Sequence, residues 1–214
     1  MRISVQGLVL VLLLGPAARP ARAQPDGVRI GLTVEAAATT ASGGATAVVS
    51  DAGGDDRFEF RQAATAGFGL RADLDWSRWR AELGVGIVPA GLFAEFPDGG
   101  GIAVGGQEAG VVELAPRVGY RIAGSPGGGS LLVLAGPSLQ FWSVTGLDTR
   151  VTVALAAAVQ AEAPLAPRLQ LVGRGGLTAG PSFLEEQAPT AGNLEPTGVT
   201  RWQGGVGLRW LLRP

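Results

Sequence analysis

The sequence predicts an all-β fold, namely an eight-stranded antiparallel up-and-down transmembrane β-barrel. Three observations predict it. Eight segments alternate apolar and polar residues with a period of two, which is the period of a strand. Glycine accounts for 35 of the 214 residues and recurs in nearly every segment, which disfavours helix. The chain is 46% hydrophobic, yet it has no internal apolar run near the ~20 residues of a spanning helix.

The first 23 residues are predicted to be a signal peptide, and residues 24–214 to be the barrel domain. Arg2 supplies a positive charge, Val5 to Leu14 form a short apolar core, and Ala21-Arg22-Ala23 fits a cleavage site. An uncleaved anchor is the alternative. Without this segment, 14 Arg stand against 18 acidic residues, a net charge of −4. That balance argues against nucleic acid as a partner.

The eight predicted strands follow one another along the whole of the remaining chain. They are Val28–Ala37, 64–76, 79–89, Gly110–Ala123, 130–142, Val151–Ala163, Arg168–Ser182 and 200–212. In the last segment Trp202, Leu208 and Trp210 share one face, and Arg201 and Arg209 share the other. A soluble sandwich buries its apolar face, whereas a membrane barrel turns that face to lipid. Alternation alone therefore leaves both architectures open.

The connections between these strands alternate strictly in length. The short ones are 75–78, 124–129 and 164–167, and the long ones lie around 38–61, 90–108, 143–150 and 183–199. Membrane barrels alternate short periplasmic turns with long extracellular loops in the same way. The even number of strands would then place both termini in the periplasm.

Aromatic residues on the apolar face fall at two levels. The predicted membrane-interface aromatics are Trp76, Trp79, Tyr120 and Trp210 near the short turns, and Phe141 and Trp202 near the long connections, with Phe93 and Phe96 just beyond. Two aromatic levels separated by an aliphatic band are typical of the girdles of a membrane barrel.

The opposite face of the strands carries charge and is predicted to line the lumen. This predicted charge network comprises Arg29, Glu35, Arg71, Asp73, Arg80, Glu82, Glu113, Arg117, Arg121, Glu162, Arg168, Arg174, Arg201 and Arg209. Buried charges must be paired or solvated, and a wet lumen of interleaved Arg and carboxylates allows both. Asp73 and Glu82 would face each other on adjacent strands, where Arg71 and Arg80 favour salt bridges over acid–base chemistry.

On these residues the chain resembles the small eight-stranded outer-membrane barrels of the OmpA and OmpX type, over about 25–214. The resemblance rests on the signal peptide, four hairpins and the closing strand from Thr200 to Leu212. That strand is similar to the C-terminal signal read by the outer-membrane assembly machinery, although this chain ends Leu212-Arg213-Pro214 rather than on an aromatic residue. The resemblance implies a protein of the Gram-negative outer membrane without a peptidoglycan-binding domain.

The composition removes much of the catalytic repertoire. The chain has no Cys and no His, and all 17 of its basic residues are Arg. Thiolate nucleophiles, histidine-dependent triads and lysine Schiff bases are therefore excluded. Enzymatic outer-membrane barrels use an active-site histidine. We expect a non-enzymatic protein with no catalytic residues, no cofactor and no metal site.

A structural, membrane-stabilising or adhesive role follows as the expectation, with acidic extracellular loops that contact ligands. The four long connections hold eleven acidic residues against Arg57, Arg61 and Arg150, a local charge near −8. They form either a solvated surface or a site where divalent cations bridge to anionic headgroups. The expected partners are outer-membrane lipids and, during biogenesis, the assembly machinery, and the barrel is expected to be a monomer.

Two alternative functions stay open from sequence. One is a narrow pore or a lipid-binding or lipid-modifying outer-membrane barrel, for which an apolar pocket around Leu132 and Leu134 would be the sign. These two leucines fall on the nominally polar face of their strand. The other is a soluble exported β-barrel.

Pro116 and Pro137 are predicted to face each other across one hairpin, because they lie equally far from its turn. Neither residue can donate a hydrogen bond to the ladder. The pair indicates either a bulge or kink that shapes the barrel or a locally weakened wall that admits a lipid tail.

Overall fold

Strands dominate the part of the chain that the structure describes. The computed structural model describes residues 27–51, 54–95, 101–144, 149–182 and 193–212. The predicted signal peptide lies outside these residues. Within the described ranges, no helix is long and apolar enough to cross a membrane.

The described residues form eleven strands. In chain order they are β1 (Arg29–Ser42), β2 (Ala45–Asp51), β3 (Gly54–Gln62), β4 (Thr65–Trp76), β5 (Trp79–Glu95), β6 (Gly101–Gly124), β7 (Ser130–Val144), β8 (Arg150–Ala166), β9 (Leu169–Gly180), β10 (Asn193–Pro196) and β11 (Val199–Leu211).

Eight of these strands close a barrel. Its order is β1-β4-β5-β6-β7-β8-β9-β11, each strand is antiparallel to the next, and β11 returns to β1. Closure is visible in single residues, since Val34 on β1 pairs with Leu70 on β4 and with Leu208 on β11. A closed ladder leaves no free sheet edge. The predicted eight-stranded up-and-down barrel is confirmed.

Three short turns mark one end of the barrel, which we name the turn end. Ser77–Arg78 joins β4 to β5, residues 125–129 join β6 to β7, and Pro167–Arg168 joins β8 to β9. Ser77 has φ 52°, in the left-handed region that favours glycine. The third turn lies later than the predicted 164–167 because β8 continues to Ala166.

The opposite end, named the loop end, contains more strand than the sequence predicted. Residues 38–61 and 90–108 were expected to be largely connections, but β1 continues to Ser42 and β2 and β3 form a hairpin. β3 pairs with the end of β5 nearest the loop end, from Leu92 to Glu95, and β10 pairs with β2. The sequence-based expectation was wrong here because strands that continue beyond the barrel satisfy one another's backbone hydrogen bonds.

The barrel is inverted relative to a soluble sandwich. Its outward side chains are apolar and exposed, for example Val34 at 60% and Leu70 at 62%, whereas the inward side chains of Arg80 and Arg209 are 0% exposed. Leu132 and Leu134 also point inward and are fully buried. The core of the molecule is therefore a mostly polar lumen.

One interruption of the wall lies where two prolines meet. β6 and β7 pair at Leu114↔Leu139 and again at Val118↔Ala135, with no pairs between. The same register on both sides places Pro116 opposite Pro137, as predicted, and no residue is inserted, so the gap is not a bulge. Gly136 fits there because a Cβ would clash with the Pro116 carbonyl oxygen.

Candidate functional site: a charged lumen

Strand alternation positions the charged side chains of the lumen. Every second residue of a strand points to the same face, so the charged parity of each barrel strand lies inside the closed sheet. The buried charged residues are Glu35, Arg71, Asp73, Asp75, Arg80, Glu82, Glu113, Arg117, Arg121, Glu162, Arg174, Arg201 and Arg209. They form two clusters along the barrel axis.

The lower cluster lies towards the turn end and comprises Asp73, Asp75, Arg80, Arg121, Glu162 and Arg209. Asp75 is its centre. Its carboxylate accepts hydrogen bonds from Arg80 Nε at 2.8 Å, from Arg121 Nη2 at 2.9 Å and from Arg209 Nη2 at 2.8 Å. Arg80 Nη1 also donates to Glu162 Oε1 at 2.5 Å. Three guanidinium groups thus balance three carboxylates.

The upper cluster lies nearer the loop end and comprises Glu35, Arg71, Glu82, Glu113, Arg117, Arg174 and Arg201. Glu82 is its centre, because Arg174 Nη1 donates to Glu82 Oε1 at 2.8 Å and Arg71 Nε and Arg117 Nη1 each lie 3.5 Å from the same oxygen. Arg71 also pairs with Glu35. In this cluster four Arg face three Glu.

Two ion pairs of the upper cluster cross the full width of the barrel. Glu82 on β5 and Arg174 on β9 lie four strands apart in a closed ring of eight. The same separation joins Glu113 on β6 to Arg201 on β11. An eight-stranded barrel has an interior just wide enough for side chains. These pairs therefore connect opposite walls through the middle of the lumen.

Neutral polar side chains connect the two clusters. Gln160 accepts a hydrogen bond from Arg174 Nε at 2.9 Å and donates to Glu162 Oε1 at 2.7 Å. Gln170 accepts from Arg209 Nη1 at 2.7 Å. Such a network is stabilising only when most of its polar atoms have partners.

Asp73 and Glu82, the carboxylates that the sequence offered for acid–base chemistry, are held in ion pairs. Asp73 and Glu82 pair in register on β4 and β5, as the sequence predicts. Asp73 is held by Arg209 and lies 3.6 Å from Arg80, whereas Glu82 belongs to the upper cluster. Within the described ranges, no group of three or more acidic residues is placed to hold a metal ion.

Two predicted lumen residues take other positions. Arg168 is exposed in the turn between β8 and β9, so its prediction as a lumen residue was wrong. The predicted strand began at Arg168, but the two-residue turn occupies that position and β9 begins at Leu169. Arg29 is half-buried at the turn end, where it donates to the carbonyl oxygen of Pro126.

Sequence reasoning missed two inward residues that matter to the network. Asp75 lies on the polar parity of the predicted strand 64–76 but was also counted in the connection 75–78 and left out of the predicted lumen network, whereas β4 continues to Trp76 and keeps Asp75 inside. Trp142 is 3% exposed and donates to Gln140 Oε1 at 3.1 Å and to Thr152 Oγ1 at 3.2 Å. Its position two residues beyond Gln140, on the same parity, was the available signal.

A small cavity adjoins the upper cluster. Its volume is about 40 Å³, and its lining includes Glu35, Arg71, Glu113 and Arg117. Nε and Nη1 of Arg117 and of Arg201 are buried without a hydrogen-bond partner. Leu132 and Leu134 do not line this cavity.

The six predicted interface aromatics all point outward. They are Trp76, Trp79, Tyr120, Phe141, Trp202 and Trp210. At the turn end the rings of Trp79 and Tyr120 meet edge to face at 5.1 Å, and Arg78 Nη1 donates to the Tyr120 hydroxyl at 3.3 Å. Phe96 and the side chain of Phe93 lie outside the described residues.

Comparison with known proteins gives structural likeness only. No protein-family model matches the chain, and no curated protein matches it. Neisserial surface protein A (NspA) is similar, with 12% identity over 86% of this chain and 99% of that chain and a TM-score of 0.57. The outer membrane protein OprG from Pseudomonas aeruginosa gives 10% identity, 88% and 98% coverage and a TM-score of 0.61. The chain therefore has the fold of the small outer-membrane β-barrels.

Proposed function

We propose that this chain is an exported integral outer-membrane β-barrel without enzymatic activity. It stabilises the membrane and presents acidic segments at the loop end for adhesion or ligand contact. The observation that carries the proposal is the inversion of the barrel. Val85 and Leu208 stand 44% and 49% exposed in the middle of the wall, while the charged Arg80 is fully enclosed.

The cost of exposing this outer face to water supports the proposal. Apolar surface in water costs about 25 cal/mol per Å², and soluble monomers rarely expose contiguous apolar patches larger than a few hundred Å². Here large exposed apolar residues recur on seven of the eight barrel strands, from Leu32 on β1 to Trp210 on β11, and Leu171 and Leu177 on β9 are half-buried. Contact with lipid acyl chains removes that cost around the whole circumference.

Fractionation tests the localisation. The full chain, with its signal segment, is expressed in a Gram-negative host, and inner-membrane, outer-membrane and soluble periplasmic fractions are separated. The proposal expects outer-membrane recovery and a heat-modifiable band on a gel. Recovery in the soluble periplasm would favour the soluble exported barrel instead.

The closed lumen supports a barrel that does not conduct freely. The ion pairs of Glu82 with Arg174 and of Glu113 with Arg201 lie across the path of a solute. In planar bilayers we expect conductance near the baseline for the refolded protein. Steady open-channel currents would support the narrow-pore alternative.

Acidic segments at the loop end are the proposed contact surface. Glu59 is exposed there, and the sequence of the long connections is strongly acidic. Neutralising Asp55, Asp56 and Glu59 together tests whether divalent cations bridge this surface to anionic headgroups. If they do, added Mg²⁺ stabilises the parent more than the variant. An equal dependence on Mg²⁺ would leave contact with external ligands as the role of the surface.

A further inference from the structure

Among the side chains that the structure describes, the charge of the upper cluster is not balanced. Four guanidinium groups face three carboxylates, whereas the lower cluster is balanced. The excess is one positive charge inside a barrel whose outer face is apolar. Uncompensated buried charge is expensive, so a compensating negative charge is expected near these side chains.

The donors without partners lie in the same cluster. Arg117 and Arg201 each have two buried N–H-bearing nitrogens, Nε and Nη1, with no hydrogen-bond acceptor. Both side chains are at least nine-tenths buried. Each of them gives its Nη2 to Glu113, and Arg117 Nη1 also lies 3.5 Å from Glu82 Oε1, so Nε is the nitrogen of Arg117 that is free to donate elsewhere.

The cavity lined by Arg117 has the size of a small ion. Its volume of about 40 Å³ accommodates about three waters, since one water needs about 10–15 Å³. Arg71 and Arg117 line it together with Glu35, which pairs with Arg71, and Glu113, which pairs with Arg201; Gly86 and Gln203 also belong to the lining. That space fits a chloride ion or a carboxylate as small as formate, together with one or two waters.

We infer that the upper cluster binds one small monovalent anion in this cavity, chloride or a small carboxylate, with Arg117, which lines the cavity, as its principal donor. One bound anion neutralises the excess charge and accepts a hydrogen bond from the free guanidinium nitrogen of Arg117. Charge-assisted hydrogen bonds of this kind are about twice as strong as neutral ones.

The test uses chloride and the whole barrel, refolded in an uncharged detergent. Bound chloride broadens the ³⁵Cl NMR line in fast exchange. We expect excess line width that saturates with added chloride. Arg117→Gln should weaken the apparent affinity about tenfold or more, because it removes a charge-assisted donor. Arg121→Gln, the same change in the lower cluster, serves as the matched control and should keep the affinity.

A second variant leaves all guanidinium groups in place and reduces the volume of the cavity. A Cβ on Gly86 meets no heavy atom closer than 3.8 Å, so Gly86→Ala is expected to fold while reducing the cavity. Gly86→Ala should weaken chloride binding. If Arg117→Gln does not refold, the affinity of Gly86→Ala tests the site in its place. Retained affinity in Gly86→Ala and in Arg117→Gln would overturn the proposal, and so would line width that never saturates.

Competition with other anions distinguishes a specific chloride site from nonspecific attraction of chloride to exposed arginines. Formate should displace chloride at millimolar concentrations, because it has the same charge and fits the cavity. Sulfate at equal ionic strength should not, because it is larger and divalent. Equal displacement by sulfate would show that exposed arginines cause the broadening and would contradict a site in the lumen.

Discussion

The guanidinium group of Arg174 and the carboxylate of Glu82 join opposite walls of the barrel, with Nη1 2.8 Å from Oε1. Their strands lie four apart in the ring of eight. The pair is buried from both sides, with side-chain exposures of 1% and 2%. Removing one partner of a buried ion pair leaves an uncompensated charge and costs about 3–5 kcal/mol.

Glu82→Gln is expected to destabilise the barrel more than Arg174→Gln. Loss of Glu82 leaves Arg71, Arg117 and Arg174 without their shared carboxylate, whereas loss of Arg174 leaves Glu82 with two nearby cations. We expect about 3 kcal/mol or more for Glu82→Gln and a smaller loss for Arg174→Gln. Urea unfolding of the barrel refolded in lipid vesicles, followed by tryptophan fluorescence, measures both free energies.

The double variant Glu82→Gln/Arg174→Gln is the control for this pair. It removes both charges, so its loss of unfolding free energy should be smaller than the sum of the two single losses. The difference, which is the coupling energy, should be about 1 kcal/mol or more. Strict additivity would contradict a direct ion pair across the lumen.

The gap at the two prolines should be visible in hydrogen exchange. The amides of Val118 and Leu139 flank the gap, because the β6–β7 ladder has no pairs between Leu114↔Leu139 and Val118↔Ala135. Each lacks neighbouring ladder bonds on one side, so local opening should cost about 1 kcal/mol less, and exchange about five- to tenfold faster than at paired residues away from the gap is expected. Equal protection at these two amides and at paired residues away from the gap would show that the wall is continuous there and would count against lateral entry of a lipid tail.

Ser77→Gly should stabilise the barrel. Ser77 has φ 52°, and among the residues that the structure describes it is the one non-glycine with positive φ. A Cβ in this region costs about 1–2 kcal/mol, part of which the greater backbone freedom of unfolded glycine cancels. We expect a gain of about 0.5–1 kcal/mol in urea unfolding. Ser42→Gly in β1, which has no such strain, should instead lower the stability.

The sequence predicted the faces of the strands well but not the partners inside the lumen. Parity along one strand places Arg174 and Glu82 inside, because side chains alternate with a period of two. It does not reveal which strands face each other, since that depends on closure and stagger of the whole ring. The diametric pairs therefore needed the structure.

Misplaced residues cluster at the ends of strands. Arg168 and Asp75 each lie within two residues of a turn, where a shift of the boundary moves a side chain from a connection to a face or back. Leu132 and Leu134 interrupt the apolar–polar alternation of β7, because the inward face beside Gly119 has room for leucine. A Cβ added to Gly119 would lie 3.1 Å from Leu134 Cγ. Local alternation does not register such complementary packing.

The outward face in contact with lipid is the central claim, and Leu70→Arg tests it most directly. Leu70 is 62% exposed and lies between Val34 and Val85 in the middle of the wall. In vesicles of phosphatidylcholine, an Arg at the midplane should cost about 2–4 kcal/mol, while Val28→Arg at the turn end should cost about 0–1 kcal/mol. Exposed substitutions in soluble proteins stay within about ±0.5 kcal/mol. A change of that size for Leu70→Arg, equal to the change for Val28→Arg, would contradict a lipid-facing wall.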